Sequence, residues 1–194
     1  MFTLASQSST RANLLKGAGL PFEQRPASID EGMLISSLVA DQVPPRDIAD
    51  TLSEYKARQV SGMLGGLILG CDQVLEFNNT VITKAPDLVS ARSQLLELSG
   101  KIHYLHSGAV FYEDHKPVWR VVRTAKLSMR PLSEHQIEVY LKEVGEKILS
   151  SVGCYQLESI GSQLFTRVEG DYFTILGLPL LDILGFLRTR GIGL

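Results

Sequence analysis

The apolar positions of this chain alternate between two spacings. Short apolar runs at 1–6 (MFTLAS) and 67–77 (LILGCDQVLEF) read as strands. Between them, SSTRANLLKGAG predicts a helix capped by Ser8 or Ser9 and ending near Gly17 or Gly19. LPFEQRPASIDEGM reads as extended and turn-rich, and PPRDIADTLSEYKARQVSGML as a helix with proline at its start. Asn78-Asn79 predicts a hairpin pairing VLEF with TVITK. DLVSARSQLLELSG is a helix stopped at Gly100, and residues 102–129 form two long antiparallel strands around a polar turn at 113–117. Ser133-x-x-Gln136 is a capping box opening the next helix. QLFTRV and YFTIL read as strands joined by EGD, and GLPLLDILGFLRTRG as a closing helix. Helices and strands mixed without strict βαβ alternation predict an α/β domain with a mixed sheet, residues 1–194 forming a single unit.

Chemistry is sought where the pattern breaks. Asp72 and Gln73 interrupt an apolar strand, and a carboxylate there is costly unless it is paired, metal-bound or at a strand end facing a cleft. A strand-end Asp capping a turn is the plainer alternative. Lys56 interrupts the stripe Ala49, Leu52, Val60, Met63, where a snorkelling side chain would also serve. SQSSTR places a serine-rich turn at a helix start, suited to phosphate, with Arg11 opposing the helix dipole unless an anion compensates. Lys84 follows the TVIT strand, where loop lysines are ordinarily solvated. Asp30-Glu31 is either surface charge or a source of oxygen ligands for Mg²⁺.

Composition narrows the field. Hydrophobic residues are 44% and charged residues 21% of the 194, and the formal net charge of −2 gives no general attraction to nucleic acid or anionic membrane. No apolar run reaches the roughly 18–20 residues of a membrane span, and MFTLASQSSTR has no basic leader with a long apolar segment, so a cytoplasmic protein is expected. The two cysteines, Cys71 and Cys154, have no metal-site spacing and are expected reduced. His103 and His106 point to opposite faces of their strand and do not chelate together. No GxxxxGK[ST] phosphate loop is present.

Taken in order, LASQSSTRANLL (4–15), IDE (29–31), KA (56–57), LGCDQV (69–74), TKAPD (83–87), LSGKIHYLHSG and VGCYQLESIGSQLFTRVEGDYFTILGLPL (152–180) resemble the Maf family of nucleoside triphosphate pyrophosphatases along nearly the whole chain. The resemblance implies a mixed twisted sheet with flanking helices, in two lobes around a central cleft, similar to inosine triphosphate pyrophosphatases. It implies hydrolysis between the α and β phosphates with a divalent cation, Mg²⁺ or Mn²⁺, and a homodimer as the common assembly. Asp72 then takes the place of the proton acceptor, Lys56 and Lys84 join it as catalytic cations, Ser8, Thr10 and Arg11 bind the substrate, and Glu31 with Asp72 holds the metal.

Within the family, Gln73 after Asp72 and Glu158 in YQLES resemble the group acting on 7-methyl-GTP, whereas the dTTP/UTP group has Thr after the acid, an SPRR opening and a late Gln. A carboxylate at 158 can accept from both N1–H and the N2 amino group of guanine and offset the charge of the methylated ring. Alternatives are a dTTP/UTP or deaminated-purine triphosphate activity, or a non-hydrolysing nucleotide-binding regulator of cell division. Three positions depart from the family pattern: Ser9 for a proline, Ala12 for a second arginine, and Ala85 for the proline that usually follows the lysine.

Overall fold

The computed structural model describes residues 1–194. The first strand, β1 (Phe2–Leu4), leads into α1 (Ser9–Gly17), whose cap is the Ser8 side chain accepting from Arg11 N. Strand β2 (Phe22–Gln24) returns parallel to β1. Two helices follow, α2 (Glu31–Ala40) and α3 (Pro45–Ser61), before the ten-residue strand β3 (Ile68–Phe77). Strand β4 (Thr80–Ile82) folds back on β3 through Asn78-Asn79, whose φ values of +50° and +60° are those a two-residue hairpin turn demands. Helix α4 (Leu88–Leu98) precedes the long hairpin of β5 (Ile102–Glu113) and β6 (Lys116–Met129), turned at Asp114-His115. Helix α5 (Glu134–Val144) opens with the expected capping box. A run of 3₁₀ turns, strand β7 (Phe165–Glu169), the short helix α6 (Tyr172–Ile175) and α7 (Leu180–Thr189) complete the chain.

The seven strands form one mixed sheet in the order β2-β1-β3-β5-β6-β7, with β4 also on β3. β1 is parallel to its two neighbours and the remaining pairings are antiparallel. Odd-numbered residues of β3 and β5 share one face. Near one end that face is covered by a core including Leu4, Leu15, Phe111, Ile183 and Leu187, and near the other by a core including Leu75, Leu95, Leu105, Leu127 and Ile137. Gln73 and Ser107, paired across the strands, lie between these two cores. The result is two lobes threaded on the same long strands.

The opposite, even-numbered face carries α3. Its approach is unusually close, because a Cβ on Gly70 would sit 2.1 Å from Ser53 O and one on Gly108 would sit 2.6 Å from Ala49 O. Only glycine permits the helix backbone to rest on the sheet at these two points.

Three expectations are corrected. YFTIL is not a strand: after Gly170 (φ +131°) the Asp171 side chain accepts from Thr174 N and starts α6. Residues 31–40, of which the first lie in a stretch read as extended, are the helix α2; Asp30 caps it by accepting from Met33 N at 2.9 Å. Met63 does not continue the buried stripe of α3, which ends at Ser61 and leaves Met63 71% exposed.

Candidate active site

The cleft originates in a fault in the sheet. Along one edge β3 pairs continuously with β5, from Ile68 to Glu76. Along the other it pairs with β1 only at Ile68 and Leu69 and with β4 only from Leu75 onward. From Gly70 to Val74 that edge has no strand partner, and β1 and β4 diverge around it. A cleft of about 640 Å³ opens there, walled by the 5–11 loop and helix start, α2, α3, the 81–84 segment, the 150–158 segment and residues 175–177. That is why an apolar strand carries an acid: Asp72 stands on the unpaired stretch.

Asp72 is 7% exposed. Its Oδ1 accepts from Gln73 N at 2.8 Å and lies 3.8 Å from Arg11 Nη2. Oδ2 lies 3.2 Å from Lys56 Nζ, an ion pair without hydrogen-bond alignment, so this buried oxygen keeps unclaimed lone pairs. Lys56, 6% exposed, also contacts Glu31 Oε1 at 2.8 Å, so its ammonium bridges two carboxylates from α2 and β3. Burial alone would push the Glu31 carboxyl up; Lys56 in direct contact, with Lys84 and Arg11 behind it, holds it below its ordinary value instead. Either carboxylate alone still pairs the buried lysine; only the loss of both would leave an uncompensated charge.

Arg11 is tied on three sides. Nε donates to Gly177 O at 2.7 Å, and Nη1 donates to Cys71 O at 3.1 Å and Ser6 Oγ at 3.3 Å. The anion that offsets its place at a helix start is therefore inside the protein: Asp72, with carbonyls helping. Arg11 Nη1 also satisfies one carbonyl of the unpaired stretch of β3. Ser8 Oγ is occupied by Arg11 N, and Ser8 N donates to Ser6 Oγ at 3.2 Å. The N–H groups of Ser9 and Thr10, as the first two of α1, have no intrahelical acceptor and stand at the cleft wall, an arrangement suited to a phosphate oxygen. Lys84 is exposed on the wall opposite, and Glu158, exposed in a turn, is at the rim.

Gln73 behaves differently from its neighbours. Its Nε2 donates within 2.9–3.1 Å to the carbonyls of Thr174 and Ile175 and to Ser107 Oγ, which itself donates to Thr174 O at 2.7 Å. The amide nitrogen thus fastens the segment leading to Gly177 across the boundary between the lobes. Sequence reasoning missed Ser6, Gly70, Gly108 and Gly177. The glycine beside CDQ was a visible sign, since a glycine within a strand marks close backbone approach.

No group of three or more His, Cys, Asp or Glu side chains is gathered anywhere, so a cation would have to complete its shell from water and substrate. The unclaimed oxygen of Asp72 with the half-buried Glu31 fits Mg²⁺ or Mn²⁺, hard ions that are commonly held by one or two carboxylates plus phosphate oxygens. Thiol chemistry has no support: both cysteines are free and buried, and burial pushes Cys71 up to about 12 and Cys154 up to about 11.

A family model described as Maf, Maf-like protein, matches residues 1–190. The chain belongs to the Maf family. This Maf protein is 52% identical over 189 residues to a nucleoside triphosphate pyrophosphatase of Caulobacter vibrioides, covering 97% of this chain and 95% of that one. It is 50% identical to nucleoside triphosphate pyrophosphatase 1 of a Jannaschia species, with 97% and 96% covered. It is 46% identical to a 7-methyl-GTP pyrophosphatase of Rhizobium meliloti, with 98% and 96% covered. Among solved structures, a nucleoside-triphosphatase / dITP/XTP pyrophosphatase of Mycobacterium abscessus overlaps with a TM-score of 0.45 at 14% identity, covering 98% of this chain and 94% of that one.

Proposed function

We propose that this Maf protein is a nucleoside triphosphate pyrophosphatase that hydrolyses the bond between α and β phosphates, and that 7-methyl-GTP is its substrate. The observation that carries the reading is Asp72, a buried acid on an unpaired strand edge, with one unclaimed oxygen and two cations beside it. Relatives at 46–52% identity bearing pyrophosphatase names support the reaction class.

Phosphoryl transfer chiefly requires positioning and charge neutralisation around an in-line attack. Asp72 Oδ2 accepts a proton from water as the water oxygen bonds to the α phosphorus. The bond from that phosphorus to the bridging oxygen breaks, and pyrophosphate leaves. Lys56 pairs with Asp72 and, with Lys84, faces the phosphate charge, while the N–H groups of Ser9 and Thr10 receive phosphate oxygens. Glu31 and Asp72 would hold Mg²⁺ or Mn²⁺, which supplies charge neutralisation on the phosphates. Arg11, with Nε and Nη1 committed to backbone carbonyls, acts mainly by fixing Asp72.

For the base, support comes from Glu158 in the cleft lining, a carboxylate whose chemistry can accept from guanine donors, and from the name of one relative. Pyrophosphate release is to be measured over 7-methyl-GTP, GTP, dTTP, UTP and inosine triphosphate, with and without Mg²⁺ or Mn²⁺. Preference for 7-methyl-GTP is expected. Preference for dTTP or UTP would move the chain to the other group, and no release from any nucleotide would leave a binding protein.

A further inference from the structure

Lys84 is exposed and lies in a loop, circumstances in which a lysine is ordinarily mobile, yet the backbone on both sides of it is fixed. Before it, Gln94 on α4 donates from Nε2 to Thr83 O at 2.9 Å. The same side chain accepts at Oε1 from the Cys154 thiol at 3.3 Å. After it, Ala85 is 3% exposed and packs in the same core cluster as Cys154. Cys154 is itself held in the left-handed region at φ +59°, and its carbonyl accepts from Tyr140 Oη at 3.2 Å. A non-glycine residue persists in that conformation only where its surroundings over-determine it. From Cys154 the chain runs directly into Tyr155, Gln156 and Glu158 on the cleft wall.

We infer that Gln94 and Cys154 are positioning residues, a clasp that sets Lys84 toward the substrate phosphates and couples its loop to the loop that bears Glu158. Neither residue lines the cleft, so their effect passes through Lys84 and the 155–158 turn. The inference rests on the reading of the cleft as a triphosphate site. Gln94 is the hinge of the arrangement because one amide supplies both the donor to Thr83 O and the acceptor for the thiol.

The test is a double-mutant cycle between Gln94→Leu and Lys84→Ala, read as KM and kcat for pyrophosphate release and as calorimetric binding of tripolyphosphate. Gln94→Leu alone should raise KM and weaken tripolyphosphate about five- to tenfold, the scale of one displaced charge-assisted contact. In the Lys84→Ala background it should add no further loss. Cys154→Ser, which keeps a donor for Gln94 Oε1, should stay near wild type, whereas Cys154→Ala should follow Gln94→Leu. Equal losses from Gln94→Leu in both backgrounds, or none in either, would overturn the clasp. If the wild-type chain releases no pyrophosphate from any nucleotide, the functional reading fails by itself. Tripolyphosphate binding then still decides the clasp: coupling between the two sites supports it, and additivity or absence of binding overturns it.

Discussion

The Lys56 ammonium reaches Asp72 at 3.2 Å because two glycines let α3 lie against the sheet. Gly108 is the direct cross-strand partner of Asp72, and Gly70 is two residues before it on the same face. A Cβ at either place would meet helix backbone, and at Gly108 the Ser53 Oγ as well, at 2.6 Å. Replacing Gly70 or Gly108 by Ala should therefore cost about 1–3 kcal/mol of stability, as other overpacking changes do. It should also lift Lys56 from Asp72 and lower turnover. Calorimetric melting with parallel pyrophosphate assays checks both effects.

Asp72→Asn keeps the shape of the acid but not its basicity. Turnover should fall about 10²–10⁴-fold, the contribution typical of a positioned general base. Nucleotide should still bind, since the Lys84 loop and the start of α1 are untouched. Unchanged turnover would remove Asp72 from the mechanism.

The acid limb of stability should depend on His103. This ring is wholly buried, with Nε2 2.7 Å from Tyr155 Oη and Nδ1 unpartnered, and burial lowers its pKa from 6.5 to about 4. The unfolded chain therefore binds a proton that the folded chain refuses, and stability falls as pH drops from 6.5 toward 4. His103→Phe should flatten that stretch of the curve, measured as urea midpoints at successive pH values. An unaltered slope in the variant would exclude the ring as its source.

Glu158→Gln replaces an acceptor by a side chain that also donates. Activity on 7-methyl-GTP should fall more than activity on UTP, by about tenfold for one lost charge-assisted pair. Equal losses on both nucleotides would show that Glu158 does not read the base.

Gln73→Ala would leave the carbonyls of Thr174 and Ile175 without the amide that meets them. The segment to Gly177, and with it the Arg11 contact, should loosen. Faster amide exchange over residues 174–177 with a lower melting temperature is the expected signature.

Features set by a few neighbouring residues were legible in the chain. The Asn78-Asn79 turn, the Ser8 cap and the Ser133–Gln136 box need only local side-chain chemistry, and each is present. The motifs likewise placed Asp72, Lys56, Glu31 and Arg11 close together. Helix α2 was hidden because none of its residues is fully buried, so no clean face marks it. The short α6 was misread because four apolar and β-branched residues fit a strand equally well until Asp171 caps them. The tying of Arg11 to Gly177 and of Gln73 to Thr174 spans more than 100 residues, and no local pattern announces such a contact.

The stretch of β3 from Gly70 to Val74 with no partner on one side has a mechanical meaning. Ladder bonds that would lace the two halves of the molecule along that edge are missing, and a guanidinium, a lysine and two carboxylates stand in the gap. Whatever anion settles among them becomes a rivet between otherwise separately packed halves, so occupancy and rigidity must rise together.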